Sequence, residues 1–368
     1  MQNRVTIILK PSHRCNFNCT YCYDRFERSK DSNILPVDDC ILILKKFANK
    51  FPDYHVIWHG GEPTCLGKDY LDKVMSADIP AHIKWSIQTN GSLLDDEWIK
   101  IFKKYKVDCG LSYDGITQTS TRSQPINLNK IYTLFKENDY ENGISLLMVV
   151  TPQNANTLIE SYLETQNYHF NLGFNEVFGE NLTKKEYDII INGLIDLFDY
   201  LCINPSYMLP RPFDEIIGYF GFIHSNLCER EYCVGRWFGI SPEGDIYPCG
   251  KPWTEKYKYG NALLNDNIDF DKLNYKPLKD IVETQLNHCI KCKYFYGCKN
   301  GCPFNASKYD DLFDENYCYF RSNLIEKTYG HLNNHINDRS LINKNIIEKI
   351  SNTDYEGELW RNYKSHII

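Results

Sequence analysis

The tightest constraint on this chain is a run of three cysteines, Cys15, Cys19 and Cys22, spaced Cys-x3-Cys-x2-Cys within the segment Lys10 to Tyr23 (KPSHRCNFNCTYCY). It follows directly on an apolar run, Val5 to Leu9, that reads as a strand. Three thiolates are one short of a closed tetrahedral zinc site. They are also one short of the four that fully ligate a 4Fe–4S cluster. Such a loop suits a centre with one position left for a ligand that is not protein.

The chain carries 15 cysteines in 368 residues. Val5 to Leu9 is too short for a signal-peptide core or a membrane span, which places the protein in the cytoplasm and away from membranes. Disulfides are rarely maintained there, and an odd count defeats full pairing, so metal ligation is the better reading. A net charge of −7, with no basic patch interleaved with aromatics, argues against a nucleic-acid partner.

Up to about residue 180, short apolar strands alternate with helical patterns, the signature of βαβ units and a parallel sheet. Strands are predicted at 54–59, 84–89, 107–113, 144–150 and 169–178. Helices are predicted at 36–50, 68–76, 95–105, 128–140 and around 155–165. Thr183 with Glu186 makes a capping box that opens a further helix to about Cys202. The recognisable motifs fall at the C-terminal ends of strands, where α/β folds place their ligands. Six β/α units are fewer than the eight of a closed barrel, so an incomplete barrel with a lateral opening is expected.

His59-Gly60-Gly61-Glu62-Pro63 follows the second strand. Glycines there let a ligand approach the backbone closely, and a carboxylate at a strand end can bind an ammonium. The cysteine loop followed by this turn resembles the radical S-adenosylmethionine (radical SAM) enzymes over roughly residues 5 to 180. That resemblance implies a partial (β/α)6 barrel, in which Cys15, Cys19 and Cys22 hold a 4Fe–4S cluster whose open iron chelates S-adenosyl-L-methionine. By the same resemblance Tyr23 lies near the adenine, and Gly60, Gly61 and Glu62 meet the methionyl ammonium. Gln88 and Ser112 line the ribose and carboxylate, and Arg122 pairs with the carboxylate. The family's chemistry is the cofactor's own: one electron cleaves the sulfonium, and a 5′-deoxyadenosyl radical takes a hydrogen from the substrate.

Later cysteines run Cys233-x10-Gly244-x4-Cys249, then Cys289-x2-Cys292-x5-Cys298-x3-Cys302, then Cys318, with Cys228 as an eighth. This pattern resembles the SPASM extension of radical SAM enzymes. The resemblance implies two auxiliary 4Fe–4S clusters, for three in all, one on Cys228, Cys233, Cys249 and Cys302 and one on Cys289, Cys292, Cys298 and Cys318. Zinc-ribbon knuckles are the rival reading of the Cys-x2-Cys pair. Of the remaining cysteines, Cys40, Cys109, Cys202 and Cys65 are expected in the core. The implied organisation is a partial barrel over 1–205, a connecting segment at 206–227, a SPASM domain at 228–320 and a helical tail at 321–368.

SPASM enzymes mostly modify peptides or proteins. The leading expectation is thioether or carbon–carbon crosslinking of a ribosomally made peptide (a RiPP maturase). The runner-up is the anaerobic sulfatase-maturating reaction, which converts a Cys or Ser to formylglycine. Relatives of that type carry an aspartate base directly after the cysteine of the Gly-x4-Cys spacing, whereas here Cys249 is followed by Gly250. A multi-cluster electron-transfer protein is the alternative from another class, against which the incomplete first site and Glu62 argue. Expected partners are the peptide or protein substrate and a reductase such as flavodoxin or ferredoxin. A separate leader-peptide-binding protein is a further one, since the residues before Val5 leave no room for a leader-gripping module. His13, Tyr113, Glu176 and Asp214 are the candidates for acid–base work, none ranked above the others.

Overall fold

A computed structural model describes residues 5–24, 33–178, 181–204, 209–220, 233–251, 254–289, 291–298, 301–307 and 313–336. The chain forms two compact units. The first comprises Met1–Tyr113, Thr121–Leu146 and Cys233–Lys279; the second comprises Asp114–Ser120, Leu147–Tyr232 and Asp280–Ile368.

The expected β/α alternation is present. Strands β1 (Val5–Leu9), β2 (Asp53–Trp58), β3 (His82–Thr89), β4 (Asp108–Ser112), β5 (Ile144–Val150) and β6 (Leu172–Glu176) are separated by helices α1 (Val37–Ala48), α2 (Lys68–Met75), α3 (Asp96–Tyr105), α4 (Leu128–Glu137) and α5 (Leu158–Gln166). The local causes are readable. Asp95 caps α3 by accepting from the Trp98 N–H, and Asn127 caps α4 by accepting from Lys130. The Thr183–Glu186 capping box is formed and opens α6 (Lys184–Ile203).

In the first unit β1, β2, β3 and β4 pair in parallel. Tyr54, Val56 and Trp58 on β2, and Trp85 and Ile87 on β3, turn one face into the core, where Trp58 and Trp85 stack at 5.8 Å. The other face is half-exposed and presents Ile8, Ile57, Ser86, Gln88, Gly110 and Ser112. This is the period-2 alternation of a sheet with one covered side.

The barrel is open, and the reason lies on β1. Its second edge is bonded in parallel to β7 (Trp237–Ile240), from Thr6↔Trp237 to Leu9↔Ile240. An antiparallel hairpin then adds β8 (Asp245–Tyr247) and β9 (Gly260–Asn261). Gly244, φ 77°, makes the hairpin turn, which explains the glycine at fixed spacing before Cys249.

In the second unit α7 (Phe213–Phe220) follows a cis Arg211–Pro212 bond. The helix α8 (Lys276–Cys289) ends on a cysteine, and α9 (Glu315–Ile336) begins three residues before Cys318. α9 packs along α6: Tyr187 stacks on Phe320 at 5.0 Å, Tyr319 donates to Asp188 at 2.7 Å, and His331 pairs with Asp199 at 2.6 Å. Among the described residues no helix is long and apolar enough to cross a membrane.

Candidate functional site

The cysteine loop leaves β1 at its C-terminal end. Cys15, Cys19 and Cys22 are half-buried and in no disulfide, and the Phe17 N–H points at the Cys15 Sγ, 3.4 Å away. Backbone hydrogen bonds tie the next strand's turn to this loop: Gly61 donates to the Ser12 carbonyl (3.1 Å) and Glu62 to the Arg14 carbonyl (2.7 Å). A Cβ on Gly61 would lie 2.1 Å from the Arg14 oxygen, and one on Gly60 2.4 Å from the Ser12 oxygen. The close approach of two protein loops therefore requires these glycines.

The Glu62 side chain is buried and fully engaged. Its Oε1 accepts from the Thr64 N–H (3.0 Å), the Thr64 hydroxyl (2.7 Å) and the Thr89 hydroxyl (2.6 Å). Its Oε2 accepts from the Asn90 N–H (2.6 Å). Burial pushes its carboxyl pKa up, and these four donors work against that rise. Glu62 thus welds the end of β2 to the end of β3. Asn90 carries the weld onward, donating to Asn16 in the cysteine loop at 2.8 Å, and Asn16 donates to Ser92 at 2.8 Å.

At the base of the loop Lys10, His13 and Asp24 form a buried charged group. The Lys10 ammonium lies 3.1 Å from one Asp24 oxygen, and His13 Nδ1 lies 3.1 Å from the other. Burial pushes the Asp24 carboxyl up, but Lys10 and His13 outweigh it and hold the pKa well below the usual carboxylate range. The Lys10 ammonium also lies 5.0 Å from the centre of the Tyr23 ring. His59, whose Nδ1 accepts from the Gly60 N–H, is held down to about 4 by burial and by Lys10.

Of the other predicted contacts, Gln88 donates to the Ser112 hydroxyl at 2.9 Å, both on the half-exposed face. Arg122 is buried; it donates to the Tyr21 hydroxyl (3.1 Å) and lies 5.5 Å from the centre of the Phe17 ring. Its neighbours do the same work: Thr20 donates to the Thr121 carbonyl and Asn18 to the Ser123 hydroxyl. The 121–123 segment braces the cysteine loop.

Of the four acid–base candidates, Tyr113 and His13 belong to the first unit and Glu176 and Asp214 to the second. Tyr113 is fully buried and His13 is engaged with Asp24. Asp214 starts α7. Glu176, at the end of β6, accepts from Asn305 (2.8 Å) and Tyr317 (2.9 Å) and faces Arg321 at 3.7 Å. Cys40, Cys109 and Cys202 lie in the core as expected. Cys65 does not: it is exposed, because the one-turn helix Pro63–Leu66 buries Pro63 and Thr64 and turns the next side chain outward.

In the second unit Cys289, Cys292, Cys298 and Cys318 are brought within electrostatic reach of one another. Burial, then Cys298, Cys318 and Cys292, push the Cys289 thiol up to about 12. Burial, Cys298 and Cys292 push Cys318 up to about 11. The Tyr294 N–H points at the Cys292 Sγ, and in the first unit the Lys251 N–H points at Cys249. Cys233 and Cys249 belong to the first unit and Cys302 to the second; Cys228 lies outside the described residues. Among the described residues no three or more His, Cys, Asp or Glu stand at the spacing of a single metal ion.

The profile of the radical SAM superfamily matches residues 9–162. Residues 9–162 are a radical SAM domain. Three thiols, one with an N–H directed at its sulfur, in a loop braced on three sides fit the three-cysteine cluster of such domains. The chain is 26% identical to the cysteine-type anaerobic sulfatase-maturating enzyme of Clostridium novyi (strain NT), over 88% of this chain and 96% of that one. Among solved structures it is similar to anSMEcpe with bound AdoMet (TM-score 0.75, 24% identity, 91% of this chain and 99% of that one). A form of anSMEcpe with bound AdoMet and a peptide gives 0.74. SuiB of Streptococcus suis bound to S-adenosylmethionine is more distant (TM-score 0.56, 19% identity, 85% of this chain and 77% of that one). At these identities the structural likeness speaks to the fold.

Proposed function

We propose that this chain is a radical SAM maturase that oxidises a Cys or Ser side chain in a peptide segment of a protein, as its sulfatase-maturating relatives are named for. The observation that supports this most is the end-to-end match to those enzymes, 96% of the relative's length aligned with 88% of this chain. When bound, the cluster and S-adenosylmethionine supply a hydrogen-abstracting radical. The chain's own residues position it. Gln88, Ser112 and Tyr23 line the ligand; Gly60, Gly61, Glu62 and Arg122 set the shape of its cradle. Cys289, Cys292, Cys298 and Cys318 would hold an auxiliary cluster, which would supply an acceptor for the second electron of the oxidation, and a reductase such as flavodoxin or ferredoxin would supply the first.

One observation favours crosslinking as a second reading. Gly250 stands where a base follows the cysteine, and a Cβ there would lie 2.9 Å from the Ile8 Cγ2 on β1. The space a base would enter is already filled by Ile8, so no aspartate acts at this position.

The deciding experiment is co-expression with candidate peptides, followed by mass spectrometry and an aldehyde-reactive probe. Formylglycine from Cys removes about 18 Da, while formylglycine from Ser and a crosslink each remove about 2 Da. The probe separates the last two, because only formylglycine carries an aldehyde. Probe-negative loss of about 2 Da overturns the formylglycine reading in favour of the crosslink.

A further inference from the structure

The first unit keeps two full charges out of water at the foot of the cysteine loop. Lys10 is 0% exposed and Asp24 4%, fourteen residues apart in sequence and 3.1 Å apart in space. All three cysteines lie between them. A buried ion pair is a weak source of stability, since desolvating both charges offsets their attraction, so its use here is to be sought in geometry.

That geometry is a closed ring. Lys10 is fixed at the end of β1, where its N–H donates to the Ile240 carbonyl of β7 at 3.0 Å. Asp24 sits two residues past Cys22, and its two oxygens bind separate partners, Lys10 and His13. His13 lies inside the loop, so the carboxylate ties the outgoing end of the loop to the incoming end and to a point between. On the far side the loop is held by Asn90 through Asn16 and by the 121–123 segment. The Asp24 contacts, with the Lys10 ammonium over the Tyr23 ring, join one end of the loop to the other.

We propose that Lys10, Asp24 and His13 form a clasp that closes the cysteine loop into the shape its cluster needs and sets the charge behind that cluster. They are positioning residues, and the inference concerns the loop alone, whichever peptide the enzyme modifies. With Asp24 in place the Lys10 charge is compensated. Asp24→Asn leaves a buried cation beside the loop, which favours the cluster's reduced, more negative state. Lys10→Met removes that cation.

The test uses the full chain, reconstituted anaerobically. Thiol alkylation under mild chelation is followed peptide by peptide. The clasp predicts about tenfold faster labelling of Cys15, Cys19 and Cys22 in Lys10→Met and in Asp24→Asn, with Cys40, Cys109 and Cys202 still closed. The same samples give the midpoint potential of the cluster whose EPR signal shifts on adding S-adenosylmethionine. It rises in Asp24→Asn and does not rise in Lys10→Met, a pattern that general loosening would not produce. Should a single variant open the core thiols too, the double variant Lys10→Met/Asp24→Asn, which leaves neither charge of the pair, decides. Loop labelling above wild type with a closed core upholds the clasp. Wild-type loop labelling, or an Asp24→Asn potential equal to that of Lys10→Met, overturns it.

Discussion

The two cysteine-rich places in this molecule are built on opposite plans. The Cys15–Cys22 loop hangs from strand ends and is tied by the Gly61 and Glu62 backbone after β2, by Asn90 after β3 and by the 121–123 segment, with the Glu62 side chain taking four donors. The Cys289–Cys318 set is carried by helix ends and turns, and Cys292, Cys298 and Cys318 add to burial in pushing the Cys289 thiol up. A cluster that must exchange a ligand leaves a gap in its own coordination, so the protein has to hold the shape. A cluster closed by four cysteines supplies its own crosslinks and can serve as a small core.

Removing a proposed cluster ligand tests this most sharply. Cys19→Ala should lower S-adenosylmethionine cleavage on the order of a thousandfold, read as 5′-deoxyadenosine formed, while Tm moves by only a few degrees. Cys292→Ala should do the reverse to the fold, costing several degrees and opening the region around Cys289 to protease.

Full chelation comes next. It should raise proteolytic cleavage between Asp280 and Cys318 at least tenfold while β1 to β4 keep their hydrogen-exchange protection. Equal loss in both places would erase the contrast.

Glu62→Gln should cost about 2–4 kcal/mol in denaturant unfolding, because an amide nitrogen replaces an acceptor among four donors in a buried site. A loss below about 0.5 kcal/mol would mean the weld is not what holds the loop.

A smaller effect follows from pH. His59 titrates near 4 in the folded protein against 6.5 as an ordinary histidine. Between those values the unfolded chain binds the extra proton, so stability should decline as pH falls from about 6.5 to about 4. Asp24, depressed in the fold by Lys10 and His13 despite its burial, contributes stability above about pH 4 that drains away below it. The slope between pH 6.5 and 4 should flatten in His59→Asn, and that below pH 4 in Asp24→Asn, both read from urea midpoints.

The least effect belongs to Gly250→Ala. Its Cβ would press on the Ile8 Cγ2, costing about 1 kcal/mol, read from urea midpoints.

Much of this was legible in the sequence because its causes are local. Val5 to Leu9 reads as a strand from four apolar residues in five, and Thr183 with Glu186 marks a helix start from three-residue spacing. The cysteine spacing marked the loop for the same reason. What escaped depends on distant partners. Glu62 was legible as a strand-end carboxylate but not as a hub, since Thr89 and Asn90 lie 27 and 28 residues on. Nothing in the sequence singles out Lys10, whose partner Asp24 lies fourteen residues on. Cys65 read as core because a one-turn helix of four residues has too little periodicity to show which way it faces.

The parallel pairing of β1 with β7 also has a consequence for synthesis. The partner for the second edge of β1 is made only about 230 residues after it. At ordinary elongation rates that is roughly 10–50 s during which an apolar strand shows bare amides and carbonyls to whatever is nearby. A gene cut after the sixth strand would make that exposure permanent. Expression of residues 1–205 alone should therefore give aggregate, and adding Cys233–Lys279 as a separate chain during synthesis should recover soluble protein.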